Sequence, residues 1–177
     1  MLSELGILLQ VHVAAAVVAL VSGALVFTLP KGGRRHHLFA RIYVAAMLIT
    51  TGVVAFVPAT VLEFGDSGWG FFHLFILVGG ASSAAGAFCL WKWKRTRDLE
   101  WLRSHQVRFT FSYAGLLMAG FAQFLTNPRF GIVGAMTVAQ FWSVFLAVNL
   151  VVLGLAMLFV SRFVMKGDPR RRYVLRP

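Results

Sequence analysis

Cysteine is almost missing from this chain. Cys89 is the single one in 177 residues, so no intrachain disulfide can form, and its place inside an apolar stretch makes a reduced, packed thiol the expectation. Acidic side chains are scarce as well, six Asp and Glu against 17 Lys and Arg. None of the six sits in the middle of an apolar run, which excludes a carboxylate proton relay across a membrane. No paired-carboxylate site, hydrolase triad or phosphate-binding glycine loop is present. Internal repeats, low-complexity linkers and room for a second soluble domain are lacking too. Met1 to Glu4 holds no basic residue, and no small-residue cleavage site follows the first apolar run. That run is therefore expected to stay as a helix rather than to be removed as a leader.

Apolar side chains are what the chain has in excess. They make up 59% of it, with a mean hydropathy of +0.78, beyond the near-half share of a soluble globule. The expected fold class is an all-α integral membrane protein with five transmembrane helices. The apolar segments cover about 3–29, 38–57, 71–91, 106–125 and 132–164, each near the ~20 residues that cross the hydrocarbon core. Pro30-Lys31-Gly32-Gly33, Pro58 and Asn127-Pro128 punctuate them. Residues 1–130 are expected to form a four-helix core, and 131–177 a fifth helix with a basic tail.

The net charge of +11 could suggest nucleic acid, but the cations cluster between apolar runs. Lys31, Arg34, Arg35 and Arg41 mark one junction. Lys92, Lys94, Arg95, Arg97, Arg103 and Arg108 mark another, and Arg162, Lys166, Arg170, Arg171, Arg172 and Arg176 the end. Glu4, Glu63 and Asp66 lie at the alternate ends, with Arg129 as the sole cation. Cytoplasmic loops are the basic ones, so the N-terminus is expected outside and the C-terminus inside a bacterial plasma membrane, with no nucleic-acid partner. The loop 92–104 suggests a short amphipathic segment through Leu99, Trp101 and Leu102. Arg170-Arg171-Arg172-Tyr173 reads as a topology signal or as a dock on anionic lipid.

Five histidines carry the functional signal, because ionisable groups inside a membrane are expensive. His12 lies 17 residues before Leu29 and His73 lies 18 before Trp91, so both sit near the outer boundary. His36, His37 and His105 share the inner boundary. Two imidazoles at equal depth suit axial ligation of a haem iron, which suggests His12 with His73 outside and His36 with His105 inside. Such pairs lie roughly 25 Å apart along a helix. Small residues at helical spacing, Ala16, Ala19 and Gly23 after His12 and Gly80, Ala84 and Ala87 after His73, could flank a flat macrocycle or simply let helices pack closely. Arg41 and Arg108 are among the cations that could meet haem propionates. Tyr43 and Met47 follow His36 on one helix face, as Ser112 and Tyr113 follow His105. They could line a cofactor or quinone pocket, with interhelical hydrogen bonds and core packing the readier reading. Gln123, Gln140 and Asn149 read as helix–helix glue, and the tryptophans as interfacial anchors.

The pattern Lys31-Gly32, His36-His37, Ala40, Tyr43 and Met47, followed by Phe72-His73 and by His105 with Ser112-Tyr113, resembles an uncharacterised family of bacterial predicted membrane proteins. The resemblance covers about 11–119. In that family the second loop histidine is usually Arg and Ala40 is usually Gly, which makes His36 the implied ligand rather than His37. A looser similarity is to di-haem cytochromes of the cytochrome b561 kind, whose ligands come from alternate helices. Together these imply a transmembrane b-type cytochrome with two haem b groups, or one. It would move electrons between a membrane quinone or a cytoplasmic donor and an acceptor on the far face of the membrane, and could meet a redox partner protein. The alternatives are a cofactor-free subunit of a larger membrane complex or a homo-oligomer, docking through Phe141, Trp142, Phe145 and Asn149, and a copper or zinc protein using the same imidazoles.

Overall fold

The computed structural model describes residues 6–58, 64–70, 73–126 and 136–166. Glu4, Glu63, Phe72, Asn127-Pro128, Arg129 and the run Arg170-Arg171-Arg172-Tyr173, on which several expectations fell, lie outside them. Five helical rods account for the fold, with no β-strand among the described residues. They are α1 (Ile7–Thr28) and α2 (Arg34–Val54); α3, which runs Leu74–Ile76, a π-helical segment Leu77–Ala81 and then Ser82–Thr96; α4 (Leu99–Thr126); and α5 (Val138–Phe159), continued by a π-helical Val160–Met165.

Local chemistry sets the ends of these rods. Leu29 precedes Pro30 and takes an extended conformation, φ −73° and ψ 148°, because the proline ring crowds a helical predecessor. Lys31 folds back so that its Nζ donates to the carbonyls of Val26 and, at 3.1 Å, Phe27, two acceptors that the last turn of α1 leaves unpaired. Gly32 supplies the φ of +81° that turns the chain into α2. Between α3 and α4 the turn is short: Arg97 is left-handed at φ 58°, and Asp98 Oδ1 accepts from the Glu100 amide at 3.0 Å. The long loop expected over 92–104 is thus helical except at 97–98. Leu102 is fully buried there, and Trp101 packs edge-on to Phe88. Thr137 and Gln140 close a reciprocal capping box at the start of α5.

Around the bundle α1 packs on α2, α2 on the π segment of α3, α3 on α4, and α4 back on α1, while α5 lies against α4. The diagonals are therefore α1/α3 and α2/α4. Ala19, Tyr43, Ala46, Met47 and Leu116 form the central core. Cys89 is buried and reduced, as its surroundings in the sequence suggest. Side chains such as Val17 and Val21 of α1 and Leu150, Val151 and Leu155 of α5 are more than half exposed. Apolar exposure on that scale marks a surface made for lipid. α1, α2 and the α5 rod with its extension are long and apolar enough to cross a membrane. Of the α5 residues expected to dock a partner, Phe145 is buried and packs on Phe75, and Asn149 is buried with its amide donating to the Phe145 carbonyl at 2.7 Å, while Phe141 and Trp142 are half-buried.

Candidate functional site

The ends of all five rods that carry the cations enclose one cavity of about 430 Å³. α1 brings Val26 and Phe27, and the turn after it Lys31; α2 brings His36, His37, Arg41, Tyr43 and Leu48. α3 adds Leu90 and Lys94, α4 adds His105 and Phe109, and α5 adds Phe159 and Val164. Ala40, Ala45 and Ala87 stand on its walls, and their short side chains leave the space that larger residues would fill. The volume falls in the range of small-molecule sites, and the walls are apolar with a few convergent polar groups. Among the described residues no carboxylate lines it.

Two of its histidines are placed in a telling way. His105 Nδ1 donates to the Gly86 carbonyl at 2.9 Å, so a neutral ring carries its lone pair on Nε2. A backbone carbonyl that fixes the tautomer of an imidazole is the usual support of a metal-ligating histidine. His36 Nδ1 is buried with no hydrogen-bond partner. Buried polar atoms are nearly always paired, so this one asks for an explanation. His37 Nδ1 donates to the Gly33 carbonyl at 3.1 Å from an exposed position.

At the opposite end of the rods the histidines behave differently. His73 is buried; its Nε2 donates to the carbonyls of Val54 at 3.1 Å and Val57 at 3.0 Å, while Nδ1 accepts from the Gly70 amide at 3.0 Å. His12 Nδ1 donates to the Thr50 carbonyl at 3.0 Å. Both rings thus bond to backbone carbonyls at the end of α2 and just past it. His73 has no ring nitrogen left for a metal, and an outer bis-histidine haem does not fit these two residues. Among the described residues no group of three or more His, Cys, Asp or Glu gathers as a metal cluster.

Arg108, expected beside the cofactor, is exposed and stands outside the cavity. At ~100° per residue His105, Gln106, Phe109 and Thr110 share one arc of α4, and position 108 falls on the far side. Arg41, by contrast, does line the cavity. The small-residue stripes divide. Ala87 reaches the cavity wall, Ala84 is exposed, and a Cβ on Gly23 would come within 2.5 Å of the Tyr113 ring, so Gly23 is there for close packing.

Above the cavity a buried chain of hydroxyls ties three helices. Tyr43 Oη lies 2.8 Å from Ser112 Oγ, which lies 2.6 Å from Ser83 Oγ and donates at 3.2 Å to the Gly79 carbonyl in the π segment. This is the interhelical glue expected of Tyr43 and Ser112; Ser83 joins it without any signal in the spacing. Lys31, one of the cations expected near the inner histidines, lines the cavity as well, and so does Lys94, whose charge topology alone accounts for. Phe159 and Val164 join the cavity without a signal in the sequence, because the fifth helix carries no histidine and apolar side chains do not mark a site.

Compared with models of known protein families, with curated proteins and with solved structures, the chain matches none.

Proposed function

We propose that this chain is a small b-type cytochrome of a bacterial inner membrane, with His36 and His105 holding a haem b in the basic cavity. The observation that carries this reading is the pair of imidazoles lining one cavity: His105 with Nδ1 committed to Gly86, and His36 with a buried, unpartnered Nδ1. His36 stands on α2 and His105 on α4, so the two belong to diagonal rods, the arrangement the resemblance to di-haem cytochromes implies. Bound there, the haem supplies one-electron chemistry. The chain's own residues do the rest. Lys31 would offer its cation to the propionates, Phe109 and Leu90 would keep water from the macrocycle, and the Gly86 carbonyl holds the His105 ring in its tautomer.

In this reading the chain crosses the bilayer five times, N-terminus outside, with the cavity at the cytoplasmic leaflet, because the cations gather at its end of the bundle. It exchanges electrons between a membrane quinone or a cytoplasmic donor and an acceptor protein. The commitment of His73 to backbone limits the proposal to one haem.

Protein purified from cells grown with ample haem should give a reduced-minus-oxidised haem b spectrum of about one haem per chain. His105→Ala and His36→Ala should each abolish it. A haem-replete preparation without Soret absorbance removes the reading.

A further inference from the structure

Beside the cavity mouth a second concavity of about 360 Å³ is lined by Arg34, His37, Leu38, Arg41 and Lys94. Three cations from two different rods converge on it, and among the described residues no carboxylate lines it. Among the described residues the one ion pair is Arg103 with Glu100, so Arg34, Arg41 and Lys94 have no acidic partner. Like charges brought together without a counter-charge repel, and the arrangement is explained when an anion sits among them. Arg34 opens α2, whose first-turn amides add their own pull on negative charge. Two guanidiniums and an ammonium match a phosphate group, with the planar forks taking two oxygens at a time.

Leu38 decides what carries the phosphate. It lines the same concavity and is 55% exposed, an apolar side chain next to the cations and continuous with the lipid-facing surface of α2. A soluble phosphate makes no use of it; the first methylenes below a phospholipid headgroup do. We infer that Arg34, Arg41 and Lys94 form a binding site for the phosphate headgroup of an anionic phospholipid, seated at the rim of the cavity. This does not depend on a haem being bound.

The full chain in detergent should retain phosphatidylglycerol over phosphatidylcholine when both are offered in mixed micelles and bound lipid is counted by native mass spectrometry. Arg34→Gln, Arg41→Gln and Lys94→Gln should each lower that preference about fivefold, the worth of one basic residue near an anionic surface. Arg35→Gln and Arg97→Gln, which remove charge outside the concavity, should leave it unchanged. Arg34→Gln alone, in an exposed first turn, keeps the test open if variants combining the changes fail to accumulate. Equal loss in the Arg35 and Arg97 variants means diffuse attraction and overturns the site. Displacement of the lipid by millimolar inorganic phosphate shows a free-phosphate site and overturns the lipid assignment. Loss of haem with lipid preference intact assigns the cations to the propionates instead and overturns it as well. A haem-free preparation that still selects phosphatidylglycerol supports the site while sinking the cytochrome.

Discussion

The two ends of this bundle hold the same side chain in opposite circumstances. At the basic end His36 and His105 line a cavity, one ring with an unpaired buried nitrogen and the other held by a single carbonyl. At the other end His73 spends both nitrogens on backbone, and His12 turns to the Thr50 carbonyl. Position along the rods does not separate the pairs, since each lies toward an end of the bundle. What separates them is the supply of backbone groups. α2 ends beside His12 and His73, and carbonyls at its end and just past it accept from both rings. Next to His105 the carbonyl of Gly86 takes one N–H, and the rest of the ring is left to the cavity.

The largest effect should come from setting the two ends against each other by truncation. His105→Ala should remove the haem b spectrum altogether. His73→Ala should leave the spectrum intact while lowering stability, because the Val57 carbonyl and the Gly70 amide lose a partner, while the Val54 carbonyl keeps the Val57 amide at 3.1 Å. With an unsatisfied buried group costing ~1–3 kcal/mol, a loss of about 2–3 kcal/mol is expected in a denaturation series in mixed micelles. A His73→Ala protein that loses its haem as readily as His105→Ala would break the distinction between the ends.

How much of this was legible beforehand follows from what kind of signal each residue leaves. Apolar runs and prolines announce helices directly, so α1, α2 and the body of α4 lie where hydropathy puts them. Charge hides the rest: Lys92, Lys94 and Arg95 end an apolar run, yet α3 continues through them to Thr96 because long cationic side chains tolerate a helix end beyond the core. Depth of the histidines can be counted from helix ends, and His36 and His105, expected at one level, line one cavity. Direction could not be counted. The π segment Leu77–Ala81 interrupts the 3.6-residue period, so a face drawn through His73 does not carry to Ala84, and the buried residues there are Ser83, Gly86 and Cys89. Nor does spacing tell that a ring will be captured by a carbonyl of the neighbouring rod.

A second, smaller contrast uses glycine. A Cβ on Gly86 would come within 2.5 Å of the Phe109 ring, which packs at 4.8 Å between centroids on His105. Gly86→Ala should cost ~1–3 kcal/mol through that overpacking, and the displaced ring should lower haem retention. At the other end of α2 a Cβ on Gly52 meets nothing within 4 Å. Gly52→Ala should instead stabilise by ~0.5–1 kcal/mol, the helix propensity of alanine over glycine. Matched thermal melts with the Soret band as a second readout test the pair, and an equal response at both positions would show that the basic end is no more tightly built than the other.

The smallest effect is expected midway, where the hydroxyl chain separates the ends. Tyr43→Phe keeps the ring that packs on Phe109 and Tyr113 but removes the hydroxyl 2.8 Å from Ser112. Ser112 still has Ser83 and the Gly79 carbonyl, so no buried group is left unpaired. Interhelical hydrogen bonds of this kind are worth ~0.6 kcal/mol on average in membrane proteins, and a loss of that order is expected. Tyr43 also lines the cavity, which makes the spectrum the sharper readout. If the tyrosine only joins helices, Tyr43→Phe leaves the reduced-minus-oxidised bands and the midpoint potential where they were. A shifted potential would mean that its hydroxyl acts on the bound group, and that the boundary between scaffold and site lies one turn deeper than His36 and His105 alone suggest.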